Sequence, residues 1–280
     1  MPDGGAVAVT TMVDMRVSRR HIILAAVLAS ALYAGAAAFV WQYARPRLPT
    51  LAAATPTLDQ AIALVVAAAG DNAAVAVSGL VPSSSCQHTF LAKGSRYTRT
   101  ADLYTDPGQE NTVVDSIATA LPAAEHPVRS GDRSAGRESL TADLGDGIEL
   151  QVVPVGTGWL AATAIADCRT SGQAQPAPAT DTAALTAPVT GLLSDLGAAL
   201  AGFHTDAVPC QNGRIITLDA ISQPTSTDNL PTRLAAFLPA GVRRFSSSSN
   251  RLAWRDQNTS TIVASSDDGT QITIQRTTTC

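Results

Sequence analysis

Val81-Pro82-Ser83-Ser84-Ser85-Cys86-Gln87 has a shorter twin in Val208-Pro209-Cys210-Gln211, and the organisation of the chain follows from that pair. Downstream of the first, Ala118-Thr119-Ala120-Leu121-Pro122-Ala123 is matched, downstream of the second, by Ala235-Ala236-Phe237-Leu238-Pro239-Ala240. A polar segment, several strand-like runs and a closing cysteine follow each, Cys168 in one case and Cys280 in the other. Four cysteines permit three pairings in principle. If each copy folds as a unit, the bridges are Cys86–Cys168 and Cys210–Cys280, closing loops of 82 (168 minus 86) and 70 (280 minus 210) residues. The chain-entropy model credits loops of that length with about 4 to 4.5 kcal/mol each. No C-x-x-C pair or Cys/His cluster suits zinc, so structural disulfides in an oxidising compartment are the simple account of the four thiols.

All four cysteines lie beyond an uncharged apolar run, 21–41, which includes Ile22-Ile23-Leu24 and ends in Phe39-Val40-Trp41. About 20 such residues cross a hydrocarbon core of about 30 Å. Trp41 and Tyr43 stand at its far edge, where amphipathic rings favour the headgroup layer. Arg16, Arg19 and Arg20 precede the run, whereas Arg45 and Arg47 follow it, which orients the N-terminus toward the cytoplasm. The expected layout is a cytoplasmic tail (1–20) and a transmembrane anchor through the lipid bilayer (21–43). Small residues such as Ala34-Gly35-Ala36 also suit a cleaved signal peptide and a secreted product, and Ser18-Arg19-Arg20 resembles a twin-arginine export signal. Both readings leave the remainder extracytoplasmic.

Beyond the run, 44–56 carries Pro46, Pro49 and Pro56 and reads as a stem. Module 1 is expected over 57–169, a linker rich in Ala, Pro, Gln, Ser and Thr over 170–186, and module 2 over 187–280. Thr57-Leu58-Asp59-Gln60 has the form of a capping box opening a helix that ends at Gly70. Its counterpart runs over 188–201, with Leu192, Leu193, Leu196 and Leu200 at helical spacing and Gly202 closing it. Strands are expected over 87–92, 97–104, 139–144, 148–155 and 159–167 in the first module, and over 214–221, 251–255, 261–265 and 271–277 in the second. Helices interrupt them after Asp106-Pro107-Gly108-Gln109 and over 228–238. The fold class is therefore α+β: one N-terminal transmembrane helix, then two similar disulfide-closed modules, each an antiparallel sheet with helices on one face.

Composition narrows the function classes. The 280 residues are 45% hydrophobic and 15% charged, which excludes uniform disorder. The net charge of −4 and the lack of a basic stripe argue against nucleic acid. There is no G-x-S-x-G elbow, P-loop, G-x-G-x-x-G unit or H-E-x-x-H helix. His88, His126 and His204 fall on separate elements. Asp143, Asp146 and Glu149, and separately Asp102, Asp106 and Glu110, offer oxygen ligands but read as turn formers. Lys93, Arg96 and Arg99 read as one solvated hairpin face, and Arg243-Arg244 with the following serines as a loop. Asn258-Thr259-Ser260 is a glycosylation sequon. No catalytic residue, cofactor or metal is expected, and the site residues are the structural cysteines Cys86, Cys168, Cys210 and Cys280. These features point to a non-enzymatic binding or assembly module of the cell envelope with a protein partner. The alternative is an anchored hydrolase acting on envelope polymers.

Overall fold

Helix α1, Leu51–Ala69, opens the folded part of the chain in this computed structural model, which describes residues 49–89, 92–170 and 182–280, together with Ala34 and Gly35. The tail, the expected anchor over 21–43 apart from Ala34 and Gly35, and linker residues 171–181 lie outside the described residues. Thr50 caps α1, its hydroxyl accepting from the Ala53 N–H at 3.3 Å. The cap thus lies seven residues before Thr57, and 51–56 is helix rather than stem. Pro56, in the second turn, removes one backbone donor but sits on the exposed side. Ala54, Leu58, Ala61, Ile62, Val65 and Ala69 form the buried stripe. At the far end Gly70 takes a positive φ of 51° and its N–H donates to the Val66 carbonyl.

By length and hydropathy Leu51–Asn72 is the one described helix able to cross a membrane. Its buried stripe instead packs the core of the first sheet with Leu103, Leu150, Val152 and Leu160, as a soluble core helix does.

That sheet has seven antiparallel strands: β1 (Ala74–Val77), β2 (Val81–Thr89), β3 (Ala92–Tyr104), β4 (Val128–Asp132), β5 (Arg137–Asp143), β6 (Ile148–Gly156) and β7 (Trp159–Arg169). They run in the order β1-β3-β7-β6-β5-β4, with β2 pairing the other half of β3. Helix α2, Glu110–Ala120, lies between β3 and β4 in the chain and adds Val113, Val114 and Ile117 to the same core.

The second sheet has six strands, β8 (Leu200–Cys210), β9 (Gly213–Ser222), β10 (Arg243–Ser248), β11 (Arg251–Asp256), β12 (Thr259–Ser265) and β13 (Ile272–Thr278). Their order is β10-β11-β12-β13-β9-β8. It parallels β4-β5-β6-β7-β3-β2 of the first sheet, strand for strand. Helices α3 (Ala183–Asp195) and α4 (Leu230–Ala235) cover it, with Leu193, Leu230 and Leu234 packing against Leu218, Trp254 and Ile274. Helix α3 starts earlier and stops earlier than its leucine spacing suggests. It ends at the Leu196-Gly197 turn, so Leu200 and Gly202 belong to β8. The Arg243-Arg244 segment is the edge strand β10, not a loop.

Two disulfides are formed: Cys86–Cys168 ties β2 to β7, and Cys210–Cys280 ties the end of β8 to the segment that follows β13. Disulfides are the mark of an oxidising compartment.

Both sheets belong to one compact unit, Leu48–Cys280. The join is β1, buried on both faces. Val75 and Val77 enter the first core, while Ala74 and Ala76, with Tyr104, meet Phe245, Ala253 and Ile262 of the second sheet. The Val77 N–H donates to Thr217 Oγ1 at 3.2 Å, and Thr217 bonds Thr277 at 2.9 Å. Arg251 lies over the ring of Trp159 at 4.2 Å and of Tyr104 at 5.3 Å. Val208 and Ile215, from β8 and β9, are inserted into the first core.

Candidate binding groove

A mostly apolar groove of about 1010 Å³ runs along the outer side of α1. One wall is a helical stripe, Ala52, Pro56, Asp59, Ala63, Val66 and Ala67, at spacings of three and four residues. The other comes from the second sheet: the Cys210–Gly213 turn, Ile215, Arg255 and the Thr279-Cys280 end. The Cys210–Cys280 bridge holds that second wall together.

Arg255 closes one end. Its guanidinium donates to the carbonyls of Gly70 and Ala73 and to Thr279 Oγ1, fastening the C-terminal end of α1 to the second sheet. With its side chain 10% exposed and also 3.4 Å from Asp71, it serves as a strut.

Asp59 is the acidic group on the groove floor. It pairs at 2.6 Å with Arg99 of β3, whose side chain is fully buried. Arg99 Nη1 also donates to the Ala207 carbonyl of β8 at 3.3 Å, so one cation joins α1, β3 and β8. Burial pushes the Asp59 carboxyl up, opposed by Arg99. The solvated face expected of Lys93, Arg96 and Arg99 is split by the strand: Arg96 meets Asp167 in solvent, whereas Arg99 shares the inward row of Ala101 and Leu103.

The other sequence candidates are dispersed. His126 is an exposed left-handed cap. His204, 66% exposed on β8, lies 3.5 Å from Asp206 and 4.0 Å from Asp219, with the Asp206 carboxyl raised by burial. It lines neither described cleft. Asp143 accepts from the Gly145 N–H and Asp146 occupies a positive φ, both as turn formers. Asp102 accepts from Trp159 Nε1 at 3.0 Å, Asp106 pairs with Arg243, and buried Glu110 accepts from the Gly158 N–H at 2.5 Å. Those three acids therefore brace three different contacts. Among the described residues no group of three or more His, Cys, Asp or Glu side chains is placed to hold a metal.

A second cleft of about 670 Å³ lies by Glu110, Asn111 and Arg133. Arg133 is engaged there by Asp115 at 2.6 Å and Glu138 at 2.8 Å. Its charge is already matched, which suits a brace for β4 and β5 better than a ligand site. The large groove thus combines apolar walls with the polar side chains of Thr55, Gln60, Gln211, Asn212 and Thr279, a mixture usual in ligand sites.

No protein-family model and no curated protein matches the chain. Among solved structures it is compared with the crystal structure of MucB in complex with MucA(peri), at 11% identity and a TM-score of 0.14, covering 78% of this chain and 92% of that one. The complex structure of Pseudomonas aeruginosa MucA/MucB gives 11% identity and a TM-score of 0.14, over 79% and 93% of the two chains. Likenesses at that score carry no argument about fold or function.

Proposed function

We propose that this chain is a single-pass envelope protein, anchored through 21–43, whose Leu48–Cys280 unit works outside the cytoplasm as a non-enzymatic binding module. The observation that carries the reading is the groove: about 1010 Å³ of mostly apolar space between a core helix and the disulfide-stapled end of the second sheet. Preformed pockets of this kind, mostly apolar with polar groups among the lining, are the usual form of a ligand site. Its one buried acid, Asp59, is held by Arg99 and so is occupied as an ion-pair partner. The disulfides and the uncharged run together support the location.

The test is a reporter enzyme active only outside the cytoplasm, fused after Cys280 in the full chain, combined with peptide mapping without reductant. Reporter activity and both bridges are expected. A reporter active only in the cytosol, or four free thiols, overturns the location. Turnover of an envelope polymer by the purified full chain overturns the non-enzymatic assignment in favour of an anchored hydrolase.

A further inference from the structure

We infer that the groove along α1 takes one acyl chain of a membrane phospholipid. The inference rests on the anchored reading above and adds the chemical class of the ligand. Its first support is shape. From Ala52 to Gly70 the groove follows α1 for about 27 Å at 1.5 Å per residue. A chain from one leaflet extends about 15 Å, half of a hydrocarbon core of about 30 Å, and fits inside that length.

Size also separates a lipid from a protein. The α1 wall, about 27 Å long and no wider than the helix at about 10 Å, presents about 270 Å². A standard protein–protein contact buries about 800 Å² on each side, so neither a second copy nor a folded partner gains enough area there.

Chemistry gives the same answer. An extended peptide brings backbone donors and acceptors that need partners. The α1 side offers mainly Ala52, Pro56, Ala63 and Ala67, with Thr55 and Gln60 as its polar side chains and Asp59 already committed to Arg99. A hydrocarbon chain asks for no hydrogen bonds. Small alanine side chains leave the depth, and the Arg255 strut closes the Gly70 end.

The last support is the length of the chain. Thr50, which caps α1, follows Tyr43 by seven residues, which span at most about 25 Å when fully extended. With 21–43 in the bilayer, the Ala52 end of the groove stays within that distance of the headgroups.

The experiment uses the full chain in vesicles of phosphatidylethanolamine and phosphatidylglycerol, a small fraction of which carries a diazirine on one acyl chain. After irradiation, labelled peptides are mapped by mass spectrometry. Label is expected in two places, the 21–43 run and the groove walls around Ala63, Ala67 and Gln211. Ala67→Trp, at an exposed position in the groove, should lower groove labelling at least ten-fold without changing label in 21–43. Ala53→Trp, exposed but outside the groove, should leave both unchanged.

Label in 21–43 with none in the groove overturns the acyl-chain inference and leaves the anchor standing. Label in the groove but not in 21–43 overturns the anchor and retains the lipid site. Groove labelling unaffected by Ala67→Trp overturns the inference. So does a benzophenone side chain at position 67 that captures a second copy, or another protein, instead of phospholipid.

Discussion

The first sheet region carries the larger core, whereas the second gives two residues to that core and takes cover in return. In the first, the 19-residue α1 and the 11-residue α2 cover a seven-stranded sheet. In the second, α3 and the 6-residue α4 cover six strands with a smaller core. The opposite face of the second sheet gains its cover from β1, and Val208 and Ile215 are buried in the neighbour's core. Strand order is shared between the two, but autonomy is not. A repeated topology therefore need not mean two independent folding units, because the shorter copy can lean on surface that the longer one supplies.

The largest test of that dependence removes the disulfides. Cys86→Ser with Cys168→Ser, or Cys210→Ser with Cys280→Ser, should each lower stability by about 4 to 4.5 kcal/mol, through loops of 82 and 70 residues. Calorimetry should still show one transition in each case. Two transitions, only one of them shifted, would break the comparison.

Next in size is Arg99. Arg99→Ala strands Asp59 and should cost about 3 to 5 kcal/mol in denaturant melts. Arg99→Met combined with Asp59→Leu should be at least as stable as the natural chain, since burying both charges is expensive. A double variant as weak as the single one would show that the loss comes from packing.

Arg251→Ala should cost about 1 to 2 kcal/mol, the worth of a desolvated cation over aromatic faces. Hydrogen exchange should rise in β1 and β12 together. Exchange confined to β11 would mean that the stack does not couple the sheets.

The smallest effect is a pH dependence at the same join. Burial raises the Asp102 carboxyl, against a hydrogen bond from Trp159 and the charge of Arg251. A carboxyl higher in the folded state binds its proton more tightly there. Its protonated form favours folding below about pH 4, and that gain is lost as pH rises through the folded value. Asp102→Asn should therefore be slightly more stable than the natural chain at pH 7, with the difference closing below about pH 4. A difference constant with pH would remove Asp102 from the account. Asp115, lowered first by the hydrogen bond from Arg133, acts with the opposite sign at acid pH in both proteins and cancels in the comparison.

What sequence alone revealed follows the same contrast. Helix α2 and the β5-β6-β7 meander were legible because each has one buried and one open face, which writes a clear period into the residues. Strand β1 lacked that signal: Ala74-Val75-Ala76-Val77 is covered on both sides and alternates nothing. Strand β8 was masked by Leu200, which extends the leucine spacing of α3 past its actual end. Serine-rich β10 has the composition of a loop and becomes a strand only by pairing with β11. Arg99 was in principle readable from its shared parity with Ala101 and Leu103, yet its charge argued for solvent. The groove was not readable, because its walls join segments far apart in the chain and the α1 side is mostly alanine, a residue that signals no site.

Pro49 and Thr170 meet where the polypeptide leaves the first sheet in both directions. The Leu51 N–H donates to the Thr170 carbonyl at 3.1 Å and the Thr170 N–H to the Pro49 carbonyl at 3.2 Å. Tension applied along the backbone between residue 49 and the start of the linker is carried first by this two-bond clasp. The strands behind it stay unloaded until the clasp opens, so such a pull is spent at a doorway rather than on the masonry.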